Sequence, residues 1–252
     1  APRHCGLRLV SCGADRMLRV HEAPDVVDLS SWTLISEFEA DGGGATPPPA
    51  HGAPASGTRP APLSVTWCPS PSEAPMLLVG FSDGTVLLWA FDEFHRRWAR
   101  LLAFDGSSVT PSGAPERAPA KKAADTAVLA HGDSVRDVSW AADLGRSYHV
   151  IATASRDMTV KVWTLHPPRE APQRGGSAIP TEGSVPNADG WQARCCCELP
   201  HRSQVWRVRW NTIGSMLASS EDDGTLHLYR MERNSAGWGQ PGGVGLVAVP
   251  VE

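Results

Sequence analysis

No apolar run in this 252-residue chain approaches the roughly 20 residues that carry a helix across a bilayer. A membrane-inserted helix is therefore not read from it. Charge of one sign is also lacking: 23 Lys and Arg stand against 27 Asp and Glu, giving a formal net charge of -4 and a pI near 6.1. The basic residues are scattered, which argues against nucleic acid or an anionic membrane as the main partner. The first residues, APRHCGLRLV, lack the basic, apolar and small-residue order of a secretory signal, so an intracellular setting is the expectation. Six cysteines at 5, 12, 68, 195, 196 and 197 form neither CxxC knuckles nor a spaced disulfide framework. In a strand, Cys196 points away from Cys195 and Cys197, so reduced thiols in or near a strand are the plain reading and no metal is expected there. GxxxxGK[ST] and HExxH are missing as well, no GxGxxG turns a strand into a helix, GFSDG at 80–84 lies in a strand–turn–strand repeat and not in a GxSxG elbow, and GGG at 42 to 44 sits in a Pro/Ala tract. No cofactor is called for.

What is present is alternation with a period of two. At 41% hydrophobic the chain can bury a substantial core. Strand-like patterning occupies 6–38, 62–104, 127–166 and 191–232, while 39–61, 105–126 and 167–190 are rich in Gly, Ala, Pro and Ser and read as surface insertions. Residues 233–252 read as a flexible tail. Lys121 and Lys122, beside Arg117, form the only basic cluster within an insertion.

The four patterned segments repeat one another. RLVSCGADRMLRVHE, LLVGFSDGTVLLWAF, VIATASRDMTVKVWTL and MLASSEDDGTLHLYRM each read as strand, tight turn with an aspartate, and strand. Asp15 to His21, Asp83 to Trp89, Asp157 to Trp163 and Asp223 to Tyr229 keep a constant spacing of six. Another strand precedes the turn at SVTW, SVRDVSW and QVWRVRW, and 98–104 supplies an outer one. Each block is thus a small antiparallel sheet with two apolar faces, and radial stacking of such sheets covers both faces while leaving short edges. The fold class is all-β, a β-propeller.

Two stretches seventy positions apart, HGDSVRDVSW at 131–140 and HRSQVWRVRW at 201–210, supply the candidate site residues. His131, Asp133 and Ser134 are the residue types of an acyl-transfer triad, but neighbours in sequence do not give its convergent geometry. The second copy keeps His201 and replaces the other two with Ser203 and Gln204, as a structural element does and a catalytic one does not. The acidic set Glu221, Asp222 and Asp223 lacks the distributed ligands of a calcium loop and reads as a solvated turn with one structural aspartate. Trp67, Trp89, Trp140, Trp163 and Trp210 recur at strand positions and read as core. Trp206 is in phase with Gln204, Val208 and Trp210; packing is its plain reading, and a partner contact the competing one.

The set His131, Thr153, Asp157 and Trp163, and again His201, Ser219, Asp223 and Tyr229, resembles the WD-repeat signature. In that family the four residues form a buried hydrogen-bond relay that ties the pre-strand loop to its blade. Asp83 and Trp89 match it without a histidine before Val65, and Asp15 with His21 is what the first segment keeps, so the resemblance implies that those blades rely on packing. EAPDVVDLSSW, together with 131–165 and 204–230, is similar to the Seh-type propeller nucleoporins, relatives of the Sec-thirteen coat protein.

That resemblance implies a partial, open, six-bladed propeller, of which roughly three and a half blades are present, the first two being absent. It implies a non-enzymatic scaffold of the Y-shaped outer-ring complex of the nuclear pore, at the nuclear envelope, supporting protein and mRNA transport. The implied partner is an arch-type helical nucleoporin that inserts a short sheet as a further blade beside the last one. A GATOR/SEA role in nutrient signalling, at the periphery of the lysosome or vacuole, is a further implication. A peptide-reading WD-repeat adaptor and a hydrolase using His131 and Ser134 are the readings from other classes. An exposed apolar blade face and unpaired edges are expected at the ends of so short a stack.

Overall fold

The computed structural model describes residues 6–25, 27–42, 59–70, 73–104, 106, 129–143, 145–168, 190–233 and 244–249. Most of the insertions, including Arg117, Lys121 and Lys122, lie outside the described residues, as do Cys5 and Gly43 and Gly44 of the glycine run. Fifteen strands among the described residues form four antiparallel sheets. The first holds β1 (Arg8–Cys12), β2 (Met17–Glu22) and β3 (Thr33–Glu39). The second holds β4 (Pro62–Trp67), β5 (Met76–Phe81), β6 (Val86–Asp92) and β7 (Arg97–Ala103). The third holds β8 (Val135–Trp140), β9 (His149–Ser155), β10 (Thr159–His166) and β11 (Gln192–Pro200). The fourth holds β12 (Val205–Trp210), β13 (Met216–Glu221), β14 (Leu226–Arg233) and β15 (Val244–Val249). Each sheet is a simple up-and-down meander in chain order.

Side-chain alternation explains why the sheets stack. In β5, Met76 and Leu78 enter one buried cluster with Val138, Ile151 and Trp163 of the third sheet. Leu77, Val79 and Phe81 enter another with Leu18 of the first sheet. In β9, Ile151 faces the second sheet while Val150, Ala152 and Ala154 face Val205, Val208 and Leu217 of the fourth. A strand covered on both faces is buried at every position, as β5 and β9 are; β5 is apolar throughout, while β9 buries His149, Thr153 and Ser155 among its apolar residues. Each fully buried Leu, Val or Phe contributes about 1.5–3 kcal/mol. The end sheets are covered on one face only, so β1 alternates between half-buried and exposed.

A second tie between neighbouring sheets is made by backbone. The residue after each turn aspartate is left-handed: Arg16 at φ 67°, Gly84 at 91° and Met158 at 65°. That conformation aims its carbonyl at the segment leading into the next sheet. Ala40 N–H bonds Arg16 O at 2.9 Å, His131 N–H bonds Gly84 O at 3.1 Å, and His201 N–H bonds Met158 O at 2.9 Å. At Gly84 the approach is close enough that a Cβ would stand 2.3 Å from His131 O, so glycine is required for space as well as for φ.

One boundary is corrected. Residues 233–252 read as a flexible tail, yet Val244–Val249 completes the fourth sheet as its outer strand, pairing from Leu228↔Val249 to Arg233↔Val244. The run VGLVAV follows a Gly/Pro-rich stretch that masks its strand character in the sequence.

Candidate functional site

In the third sheet, His131 leads into β8 and is buried against its own blade. Its Nδ1–H points to Asp157 Oδ2 at 2.9 Å, and its Nε2 lies 2.7 Å from Thr153 Oγ1. Trp163 Nε1–H donates to the same Thr153 oxygen at 2.9 Å. Asp157 also accepts from Gly132 N–H at 3.0 Å and from Thr159 Oγ1 at 2.6 Å. The chain tryptophan, threonine, histidine, aspartate therefore runs from the blade core to the turn and fastens the pre-strand loop on the way. Burial pushes the Asp157 carboxyl up, but the His131 hydrogen bond and charge, Thr159 and the Gly132 amide outweigh it and hold it far below the usual carboxylate range. Both His131 ring nitrogens are committed to Asp157 and Thr153, and no bond joins His131 to Ser134 among the described residues. The arrangement holds loops together, with its hydroxyl on the fully buried Thr153.

The fourth sheet brings together three of its four sequence-predicted residues. His201 Nε2 lies 2.8 Å from Ser219 Oγ and 3.4 Å from Tyr229 Oη. Asp223 stays apart from the histidine and caps its own turn, accepting Thr225 N–H at 2.8 Å. His201 Nδ1–H turns instead to Leu199 O at 2.9 Å. The loop-tying part that Asp157 plays passes to Glu221, whose Oε2 accepts Ser203 N–H and Ser203 Oγ–H, both at 2.9 Å. Burial lowers the His201 imidazole below the ordinary histidine range, against Leu199 O and the Glu221 charge, which raise it. For Glu221, burial raises the carboxyl, and Ser203 and His227 bring it down below the usual value. Glu221 in this part, and His227 bonded to it at 2.6 Å, were not singled out by the repeat pattern.

In the other two sheets the aspartates act locally. Asp83 accepts Thr85 N–H at 3.0 Å, and Asp15 accepts Met17 N–H at 3.2 Å and pairs with Arg19. Trp89 is buried in the seam between the first two sheets, tilted against Phe38 at 5.0 Å between ring centroids, and its Nε1–H finds no partner among the described residues. Ala40 takes the position before the second blade where the third and fourth have histidine.

The phase assigned to Trp206 is corrected. The ladder passes from Val205↔Glu221 to Arg207↔Ser220 and leaves Trp206 unpaired in a bulge, so Val205 and Val208 are both buried and Trp206 is 42% exposed. The same slip occurs between Pro62 and Ser64 and between Val135 and Asp137, so Leu63, Arg136 and Trp206 are equivalent bulge residues. Arg136 lies over the Trp206 ring at 4.5 Å, and Trp206 Nε1–H donates to Asp222 at 2.7 Å. A bulge in an inner strand leaves no trace in residue type, which is why strict alternation misplaces this side chain.

Burial pushes the Cys195 thiol up to about 11 and that of Cys196 up to about 12. On the far side of the fourth sheet, the face opposite Leu217 and Tyr229 carries Met216, Ala218 and Leu228, all half-buried, with Leu226 62% and Val247 44% exposed and the exposed Arg230 between Met216 and Val247.

Four meandering sheets with shared apolar seams and a His–Thr–Asp–Trp relay define a WD-repeat protein. The model of the WD domain, G-beta repeat, matches residues 125–164 and 193–230, the third and fourth sheets where the histidines stand. Among curated relatives, nucleoporin SEH1-B of Xenopus laevis and nucleoporin SEH1 of Homo sapiens are each 32% identical to the chain, over 242 and 241 residues. Together these findings support a WD-repeat protein of the Seh1 type. The alignments cover 91% of this chain and 51% of each relative, so the chain spans about half the length of the curated relatives it matches. A chain in the crystal structure of an active polycomb repressive complex 2 in the basal state superposes with a TM-score of 0.52 at 15% identity, covering 91% of this chain and 35% of that one. This last likeness bears on the fold alone. Nothing in the relatives' names supports a lysosomal or vacuolar placement.

Proposed function

We propose that the chain is a scaffold component of the nuclear pore's Y-shaped outer-ring complex, located at the nuclear envelope. Its partner is an arch-type helical nucleoporin that adds a short sheet beside the fourth sheet. The observation that carries this reading is the far face of that sheet: Leu226 and Val247 are exposed beside half-buried Met216, Ala218 and Leu228, in a stack whose inner sheets are covered on both faces. Another sheet laid on that face removes apolar surface at about 25 cal/mol per Å² and matches the geometry already repeated three times along the chain. The similarity to nucleoporin SEH1 supports the choice of partner class. Trp206, 42% exposed and backed by the Arg136 guanidinium, serves as a further contact.

The relay supports a mechanical role and not a chemical one. It fixes the pre-strand loops of the third and fourth sheets so that the blade surface there stays preformed, which lowers the ordering cost of binding. Affinity purification of the full-length protein, with mass spectrometry of what accompanies it, tests the proposal. Recovery of a helical arch nucleoporin is the expected result; recovery of unrelated partners, with that subunit absent, overturns it. No observation favours the nutrient-signalling or peptide-adaptor readings.

A further inference from the structure

The fourth sheet departs from the third at two positions that no feature of the blade requires. Aligned on Asp157 and Asp223, Glu221 stands where the third sheet has Ser155, and His227 where it has Lys161. Ser219 and His227 are direct cross-strand partners, so Ser219, Glu221, His227 and Tyr229 share one face of the β13–β14 hairpin. His201 overhangs that face, with its ring edge-on to His227 at 5.0 Å between centroids. One ligand atom from each of His201, Glu221 and His227 lies within 4.8 Å of the others.

Two of the three side chains are already oriented as ligands. His201 Nδ1 faces Leu199 O at 2.9 Å; a carbonyl only accepts, so Nδ1 carries the hydrogen and Nε2 keeps its lone pair, which takes the Ser219 hydroxyl at 2.8 Å and which an ion would take in its place. Glu221 has Oε2 held by Ser203 through two hydrogen bonds, leaving Oε1 on the His227 side, 2.6 Å from His227 Nε2. The Glu221 side chain is 1% exposed and that of His227 36%, so the cluster is closed at its base and reachable from its rim. In the third sheet the corresponding Lys161 binds Ala130 O, and no second histidine stands there. The Asp223 carboxylate, by capping its own turn, is what frees His201 Nδ1 for Leu199.

We propose that His201, Glu221 and His227 form a site for a divalent transition-metal cation of the zinc class, with a fourth position open to water. Two imidazole nitrogens and one carboxylate oxygen suit zinc and its spectroscopic substitute cobalt better than calcium or magnesium. At bond lengths of about 2.0–2.2 Å a tetrahedral ion spaces its donor atoms by about 3.3 Å, so His227 Nε2, 2.6 Å from Glu221 Oε1 without the ion, moves outward by rotation of its partly exposed side chain. The bound ion staples the Leu199–Ser203 loop to the β13–β14 hairpin, adding to the fourth sheet the tie that Asp157 gives the third. The proposal does not depend on the identity of the partner protein.

The test uses the full chain, stripped with chelator and titrated with Zn²⁺ by calorimetry and with Co²⁺ by visible absorption. One equivalent is expected to bind, with the d–d bands of a four- or five-coordinate cobalt ion. His227→Ala, at a partly exposed position that leaves the core intact, and Glu221→Gln are each expected to weaken binding by at least about tenfold. Glu73→Gln, in the separate group Cys68, Glu73 and His149, is expected to leave it unchanged. Absence of saturable binding, binding untouched in His227→Ala, or loss of binding in Glu73→Gln overturns the proposal.

Discussion

Replacing Thr153 with valine removes one hydroxyl and keeps the shape of the side chain. Thr153 is fully buried, and its oxygen is the meeting point of His131 Nε2 at 2.7 Å, Trp163 Nε1–H at 2.9 Å and, more weakly, Lys161 O at 3.3 Å. No water reaches that position, so the substitution strands an imidazole nitrogen and an indole N–H together. Each buried polar group left without a partner costs about 1–3 kcal/mol, which puts the total at about 2–6 kcal/mol against a domain stability of about 5–15 kcal/mol. Ser219→Ala makes the same cut in the fourth sheet with a smaller consequence. There only His201 Nε2 is stranded, and Tyr229 Oη stands 3.4 Å away to take its place, so about 1 kcal/mol is expected. Urea unfolding followed by tryptophan fluorescence measures both. The midpoint should fall clearly in Thr153→Val and slightly in Ser219→Ala. Equal losses, or a loss below about 1 kcal/mol in Thr153→Val, would refute the idea that the relay is a load path of the third blade.

Asp157→Asn should cost about 1.5–3 kcal/mol at neutral pH, because a charged acceptor of the relay is lost. The folded carboxyl titrates below its unfolded value, so this stability is fully present above the unfolded pKa and fades as pH falls through the folded one; melting curves of the two proteins should converge in acid. His201 has its folded value lowered, so the folded state resists protonation and stability should drop as pH falls below the ordinary histidine value, a slope that His201→Gln removes in thermal melts. Gly84→Ala forces a Cβ against His131 O in a left-handed conformation and should destabilise by more than about 1 kcal/mol in chemical unfolding. Trp206→Ala should leave the unfolding midpoint nearly unchanged, since the ring is 42% exposed, and weaken capture of the arch nucleoporin in a pull-down.

The blades were legible because alternation and a constant spacing between turn aspartate and strand-end aromatic are local facts of sequence. The same regularity hid the exceptions. Trp206 leaves its phase because an inner-strand bulge changes pairing without changing residue type. β15 follows a Gly/Pro-rich stretch, and its place in a sheet is fixed by Leu228 to Arg233 across the gap and not by its neighbours. The relay around His131 was readable from its four matching residues. The one around His201 was readable in part: Asp223 sits at the matching position, yet its turn satisfies it locally while Glu221, two residues earlier and on the strand, takes the loop. His227 gave no signal at all, because a histidine on an alternating strand looks like any half-exposed polar residue until the fold sets it beside Glu221 and His201.

The far face of the fourth sheet carries the functional proposal, and it is open to a direct measurement. Leu226→Glu combined with Val247→Glu places two charges on that face at positions 62% and 44% exposed, where the fold itself has little to lose. Binding of the full-length protein to the purified arch nucleoporin should then fall by at least about tenfold while the urea midpoint stays in place. Binding equal to that of the unsubstituted protein would contradict partner docking on this face.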